Sequence, residues 1–120
     1  MKSLIHIFTY IFILILLTAC PDKHQEAKIQ VRNSITNTTM QSVKWGDLYI
    51  TGSLLPGEIS SEVIIYYESD YMGQNNQFSF YLSSGGKQVY LKTKDSYAIQ
   101  EGSELQVTID NDTEVENIMD

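Results

Sequence analysis

A chain of 120 residues with a formal net charge of -7 and a single cysteine has room for one compact core and cannot form an intrachain disulfide. Its few Lys and Arg are scattered singly between acids, so nucleic-acid binding and polybasic attachment to anionic lipid are both excluded. A core of this size folds without disulfides or a metal, and no cofactor is expected.

The first element is the N-terminal run. Met1-Lys2-Ser3 is a short basic lead, and Leu4 to Leu17 is a series of Leu, Ile and Phe broken by His6, Thr9 and Tyr10. This is the layout of a signal peptide. A spanning helix needs about 20 apolar residues, whereas Leu4 to Cys20 is seventeen residues that end in small side chains. Leu17-Thr18-Ala19-Cys20 resembles the lipobox of bacterial prolipoproteins. The resemblance implies that the Cys20 thiol takes a diacylglyceryl group, that a lipoprotein signal peptidase cuts between Ala19 and Cys20, and that the new α-amino group is open to acylation. Each buried CH₂ contributes about 0.8 kcal/mol, so two or three acyl chains hold a protein on a bilayer almost permanently. The alternative is an uncleaved short anchor whose cysteine is incidental.

Residues 1–19 are therefore expected to be a lipoprotein signal peptide. Residues 20–27 follow as the lipidated cysteine and a polar tether, and 28–120 as the folded domain. His24 belongs to the tether and has no Cys or acid at ligand spacing. The expected address is the bacterial cell envelope, at the outer membrane or cell surface rather than the inner membrane.

Past the tether, strand alternation begins with Ala27, Ile29 and Val31 against Lys28, Gln30 and Arg32. Asn33 to Thr39 reads as a loop. Val43 and Trp45 share a face, and a Gly-first hairpin turn at Gly46-Asp47 would set Trp45 opposite Leu48 and Val43 opposite Ile50. Pro56-Gly57 is a turn. Val63 to Tyr67 is apolar on both faces, which predicts a central strand, and Ser69 to Asn76 is the best candidate for a long loop.

The clearest hairpin runs from Phe78 to Leu91. Gly85-Gly86 tolerates the positive φ of a tight turn and pairs Leu82 with Val89 and Phe80 with Leu91 inward, with Tyr81 opposite Tyr90 outward. Tyr97, Ile99, Leu105, Val107 and Ile109 form a last set around Gly102. A two-residue turn there would oppose Ile99 to Gln106, so a longer connection or a sheet-to-sheet corner is expected. About seven short strands at roughly 8 to 12 residue spacing predict an all-β fold, a single immunoglobulin-like β-sandwich, with a small β-barrel as the alternative. The layout is also similar to that of small single-domain envelope lipoproteins.

Little in the domain points to catalysis. With His24 in the tether, no base stands beside any serine, and lipidation would occupy Cys20. Carboxylate pairs for glycoside chemistry are conceivable but unplaced. Asp110-Asn111-Asp112-Thr113-Glu114 spaces acids like the start of a calcium loop but lacks the glycine and the closing glutamate, so no metal site is assigned. Tyr81, Tyr90 and Tyr71, with Tyr66 or Tyr67 nearby in sequence, are the candidate platform for sugar rings or an envelope protein partner. The plain alternative is that Tyr simply favours strands and cross-strand pairs. The expected function is a non-enzymatic, lipid-anchored binding or structural module, held to the membrane through Cys20. The rivals are a carboxylate-based hydrolase on envelope polysaccharide and an accessory subunit of an envelope complex.

Overall fold

The computed structural model describes residues 25–118; Cys20 and the tether up to His24 lie outside the described residues. The described chain is all-β. Its strands are β1 (Ala27–Ser34), β2 (Thr39–Trp45), β3 (Leu48–Leu54), β4 (Val63–Ile65), β5 (Asn75–Asn76), β6 (Phe78–Ser84), β7 (Lys87–Thr93), β8 (Tyr97–Ala98), β9 (Glu104–Asp110) and β10 (Val115–Asn117). Two sheets form a sandwich, one in the order β4-β1-β9 and the other β10-β7-β6-β2-β3, with β5-β8 as a separate ribbon. Both main sheets have open edges, so the barrel alternative is overturned. The count exceeds seven because of short pieces: β5 and β8 have two residues each and β10 three.

Alternation decides which face is inside. In β1, Ala27, Ile29, Val31 and Asn33 are fully buried while Arg32 and Ser34 are exposed, as a period of two requires. Ala27, Ile29 and Val31 meet Val107 and Ile109 of β9 and Ile65 of β4 on their own sheet. Met40, Val43, Trp45, Ile50, Leu54, Phe78 and Phe80 come from the facing one, and all join a single core. Full burial of such a side chain contributes about 1.5–3 kcal/mol.

In β2 the alternation breaks, since Met40 and Val43 are both fully buried although three positions apart. Between them Ser42 has φ 50, and β2 carries one extra residue against β6 between Gln41 and Lys44. This bulge shifts the phase by one residue, so that both apolar side chains enter the core. A second irregularity, on β3, corrects one expected pair: Trp45 does face Leu48, but the register slips between Val43 and Lys44, where β3 carries Ile50 as an extra residue, and Val43 faces Thr51 instead of Ile50. A left-handed conformation costs a residue with a Cβ about 1–2 kcal/mol, offset in glycine by its greater chain entropy. Accordingly, Ser42→Gly should leave stability unchanged or raise it by up to about 1 kcal/mol, and Ser42→Val should lower it by about 1–2 kcal/mol. Urea titrations of the two variants measure this directly.

The Val63–Ile65 run is not central. It forms the edge of the three-stranded sheet, paired only with β1, and leaves Ile64, Tyr66 and Tyr67 exposed. Apolar character on both faces is insufficient here because the strand ends after three residues. The corner expected near Gly102 does form. β8 pairs with β5 in the separate ribbon, the chain turns through Gln100–Ser103 with Ser103 N donating to Gln100 O at 3.0 Å, and β9 joins the three-stranded sheet parallel to β1.

Candidate functional site

The candidate site is the solvent face of the five-stranded sheet, and the β6–β7 hairpin builds it. Gly85 and Gly86 have φ 58 and 80, the left-handed pair that a two-residue turn matched to strand twist requires. That turn fixes Leu82 opposite Val89, Tyr81 opposite Tyr90 and Phe80 opposite Leu91, the register read from the sequence. With Phe80 committed to the core, Tyr81 and Tyr90 must point outward. Their ring centroids lie 4.4 Å apart, tilted by 32°, at the close limit of an offset aromatic pair.

Neighbouring strands extend this pair into a patterned face. Tyr81 is also in register with Gln41 of β2, and Gln41 with Ser53 of β3. On the other side, Ile118 N donates to Tyr90 O at 3.0 Å. The next row runs through Tyr49, Lys44, Ser79, Lys92 and Glu116. Gln88 Nε2 donates to Gln41 Oε1 at 3.0 Å, so an amide pair bridges across β6 beside the Tyr81 ring.

Next to Tyr90 the face deepens into a cavity of about 300 Å³, lined by Gly46, Asn76, Gln77, Ser79, Tyr90 and Lys92 among others. Its amides are held in place: Asn76 Nδ2 donates to Gln74 Oε1 at 2.8 Å and Gln77 Nε2 to Thr93 O at 2.7 Å. Gly46 has φ 61, and a Cβ at that position would come within 2.7 Å of Asn76 Cγ. The glycine therefore serves both the hairpin turn and the close approach of Asn76.

Tyr71 does not join Tyr81 and Tyr90. Its ring contacts the buried Trp45, with centroids 6.3 Å apart. Hydrogen bonding to Asp47 raises the pKa of its hydroxyl above the ordinary tyrosine value, with smaller contributions from desolvation and the charges of Asp47 and Asp70. Tyr97 packs against Phe78 with ring centroids 5.3 Å apart and planes inclined by 60°, and desolvation, then the charge of Asp95, raises its pKa as well. Both tyrosines serve the loop end of the core.

Other expected constellations are placed as follows. The Asp110 carboxylate turns back on its own loop, accepting from Asp112 N at 2.9 Å and Thr113 Oγ1 at 3.2 Å. Glu62 and Glu104 flank a shallow cavity of about 100 Å³ with Lys28 between them, its Nζ 3.5 Å from Glu62 Oε2. That volume is well below the roughly 300 Å³ at which ligand sites begin. At one end of the sandwich, Ile35, Phe80, Leu82, Leu91, Ile109 and Val115 line an apolar cleft of about 260 Å³. Val89, expected inside, is 38% exposed beside it, because the three-stranded sheet does not reach the hairpin tip.

The sequence reading missed Ser79, Lys92, Gln41, Gln88 and Asn76 as parts of this face. Ser79 and Lys92 lie two positions from Tyr81 and Tyr90, so strand periodicity alone places them there. Gln41 is hidden by the Ser42 bulge, and Asn76, expected in the long loop Ser69 to Asn76, lies instead on the two-residue strand β5, too short to carry a periodic signal. Comparison with protein families, with curated proteins and with solved structures finds no match for this chain.

Proposed function

We propose that the protein is a non-enzymatic binding module, tethered to the bacterial envelope by lipid on Cys20, that takes saccharide on the outer face of its five-stranded sheet. The observation that carries this reading is the stacked Tyr81–Tyr90 pair, which is solvent-facing and borders a cavity furnished with Asn76, Gln77 and Ser79. Aromatic rings offer an apolar surface to sugar C–H groups, while amides and hydroxyls exchange hydrogen bonds with sugar hydroxyls. The lipobox supplies the address, and a covalent anchor is the natural means of holding an acidic domain at a surface that would otherwise repel it.

The test is retention of the full-length protein, purified in detergent, on envelope polysaccharide. Tyr81→Ala with Tyr90→Ala should weaken retention at least about tenfold, equivalent to about 1.4 kcal/mol, and lower stability by about 0.5–1.5 kcal/mol through the lost ring pair. Tyr81→Phe with Tyr90→Phe keeps the stack and should retain most binding. Lost stability with unchanged retention would end the saccharide reading.

A second reading, as an accessory subunit of an envelope complex, is supported by the apolar cleft and the exposed Val89 beside it. Capture of a protein partner that is lost on Val89→Lys and kept in the double tyrosine variant would favour it.

A further inference from the structure

Resting on the saccharide reading, we infer that the ligand is an acidic saccharide, whose anionic group is received by Lys92 in the cavity beside Tyr90. The whole chain carries -7, and a polyanion approaching an average patch of such a surface is repelled. The outer face of the five-stranded sheet is different. Along the outward row of register partners Tyr49, Lys44, Ser79, Lys92 and Glu116 there are two lysines and one acid. The row beside it is uncharged, running through Ser53, Gln41, Tyr81 and Tyr90. Among the outward residues of β6 and β7, which are Ser79, Tyr81, Ser83, Gln88, Tyr90 and Lys92, no carboxylate occurs. The single acid of that row, Glu116, stands on the edge strand β10 as the register partner of Lys92.

Geometry places the cation where a bound ring would need it. Lys92 is half-buried and lines the same cavity as Tyr90, Asn76, Gln77 and Ser79. Lys92 follows Tyr90 by two positions on β7, so their side chains leave the same face about 7 Å apart along the strand. Lys44 lies across Ser79 from Lys92, two strand spacings or about 10 Å away, on the path of a polymer running over the sheet. A sugar ring seated on Tyr90 therefore presents a carboxylate or sulfate to Lys92, and the next unit meets Lys44. The amides of Asn76 and Gln77 are already fixed by their own hydrogen bonds, so little ordering remains to oppose binding.

The experiment uses full-length protein in a non-ionic detergent and two matched pairs of probes: polygalacturonate against its methyl ester, and dextran sulfate against dextran. The first pair tests a carboxylate and the second a sulfate, each on an unchanged backbone. At least one acidic member should bind about tenfold or more tightly than its neutral partner. The preference should fall as salt shortens the screening length from about 30 Å at 0.01 M to about 3 Å at 1 M. Lys92→Gln should remove most of the preference, and Lys92→Arg should keep it. Equal binding of acidic and neutral members, lost in Tyr81→Ala with Tyr90→Ala, would overturn the acidic ligand and leave the platform standing. Acidic binding that survives both Lys92→Gln and the double tyrosine variant would overturn the site itself. No binding of any probe would overturn the inference as well.

Discussion

Asn33→Asp is expected to be the most damaging single-atom exchange in the domain, lowering stability by about 3–5 kcal/mol. Asn33 is fully buried at the end of β1. Its Nδ2 donates to Thr38 O at 2.8 Å and to Leu54 O at 2.9 Å, and its Oδ1 accepts from Ile35 N at 3.0 Å. Its backbone closes two more bonds, donating to Glu58 O at 2.9 Å and accepting from Gly57 N at 2.6 Å. One residue thus ties the first sheet to the β1–β2 loop, to the end of β3 and to the Pro56-Gly57 turn. A carboxylate there has no donors to offer and would face two carbonyl oxygens away from water. Because burial raises the pKa of such a carboxyl, the penalty should be full above that raised pKa and shrink as pH falls from it towards the ordinary aspartate value, as the folded group takes up a proton. Asn33→Ala, which only orphans the partners, should cost about 2–4 kcal/mol with little dependence on pH. Urea unfolding at two pH values separates these outcomes; a loss below about 1 kcal/mol for both would deny Asn33 this role.

Trp45→Ala is expected to cost about 3–5 kcal/mol. The indole is fully buried and its Nε1 donates to Tyr97 O at 3.0 Å, while Tyr71 covers its edge. Removing it opens a cavity between the two sheets at the end where the β2–β3 turn meets the loops. Trp45→Phe keeps most of the volume but strands the Tyr97 carbonyl, and should cost about 1–3 kcal/mol. As Trp45 is the one tryptophan in the chain, its emission reports unfolding of the wild type, and circular dichroism serves for the variants. A Phe variant as unstable as the Ala variant would mean that the hydrogen bond, not the packing, dominates.

Why some of this was legible in the sequence and some was not follows from how local each signal is. The Gly85-Gly86 hairpin could be read to the residue, because a two-residue turn and strict alternation determine each other. Gly46-Asp47 was equally readable at its tip and failed at Val43, where β3 carries Ile50 as an extra residue that nothing in its neighbours announces. The Val63–Ile65 run illustrates the opposite limit: composition reports that a segment is apolar, and only tertiary pairing decides whether it lies at a centre or an edge. The Tyr81–Tyr90 pair was visible because both residues sit on the readable hairpin. Tyr71 was misleading because a loop tyrosine has no periodicity to say which way it faces, and here Trp45 and Asp47 claim it. The cavity beside Tyr90 needed Asn76 and Gly46 to meet across 30 residues of chain, which no local pattern encodes.

The proposed lipid on Cys20 would hold the domain at the envelope. The most direct measurement is metabolic labelling of producing cells with an alkyne fatty acid, followed by intact-mass analysis of the purified protein. The wild type should carry the label on a chain that begins at Cys20, and Cys20→Ala should carry none and keep residues 1–19. A Cys20→Ala protein that still takes up the label, or a wild type that takes up none, would show that Cys20 is not the anchor.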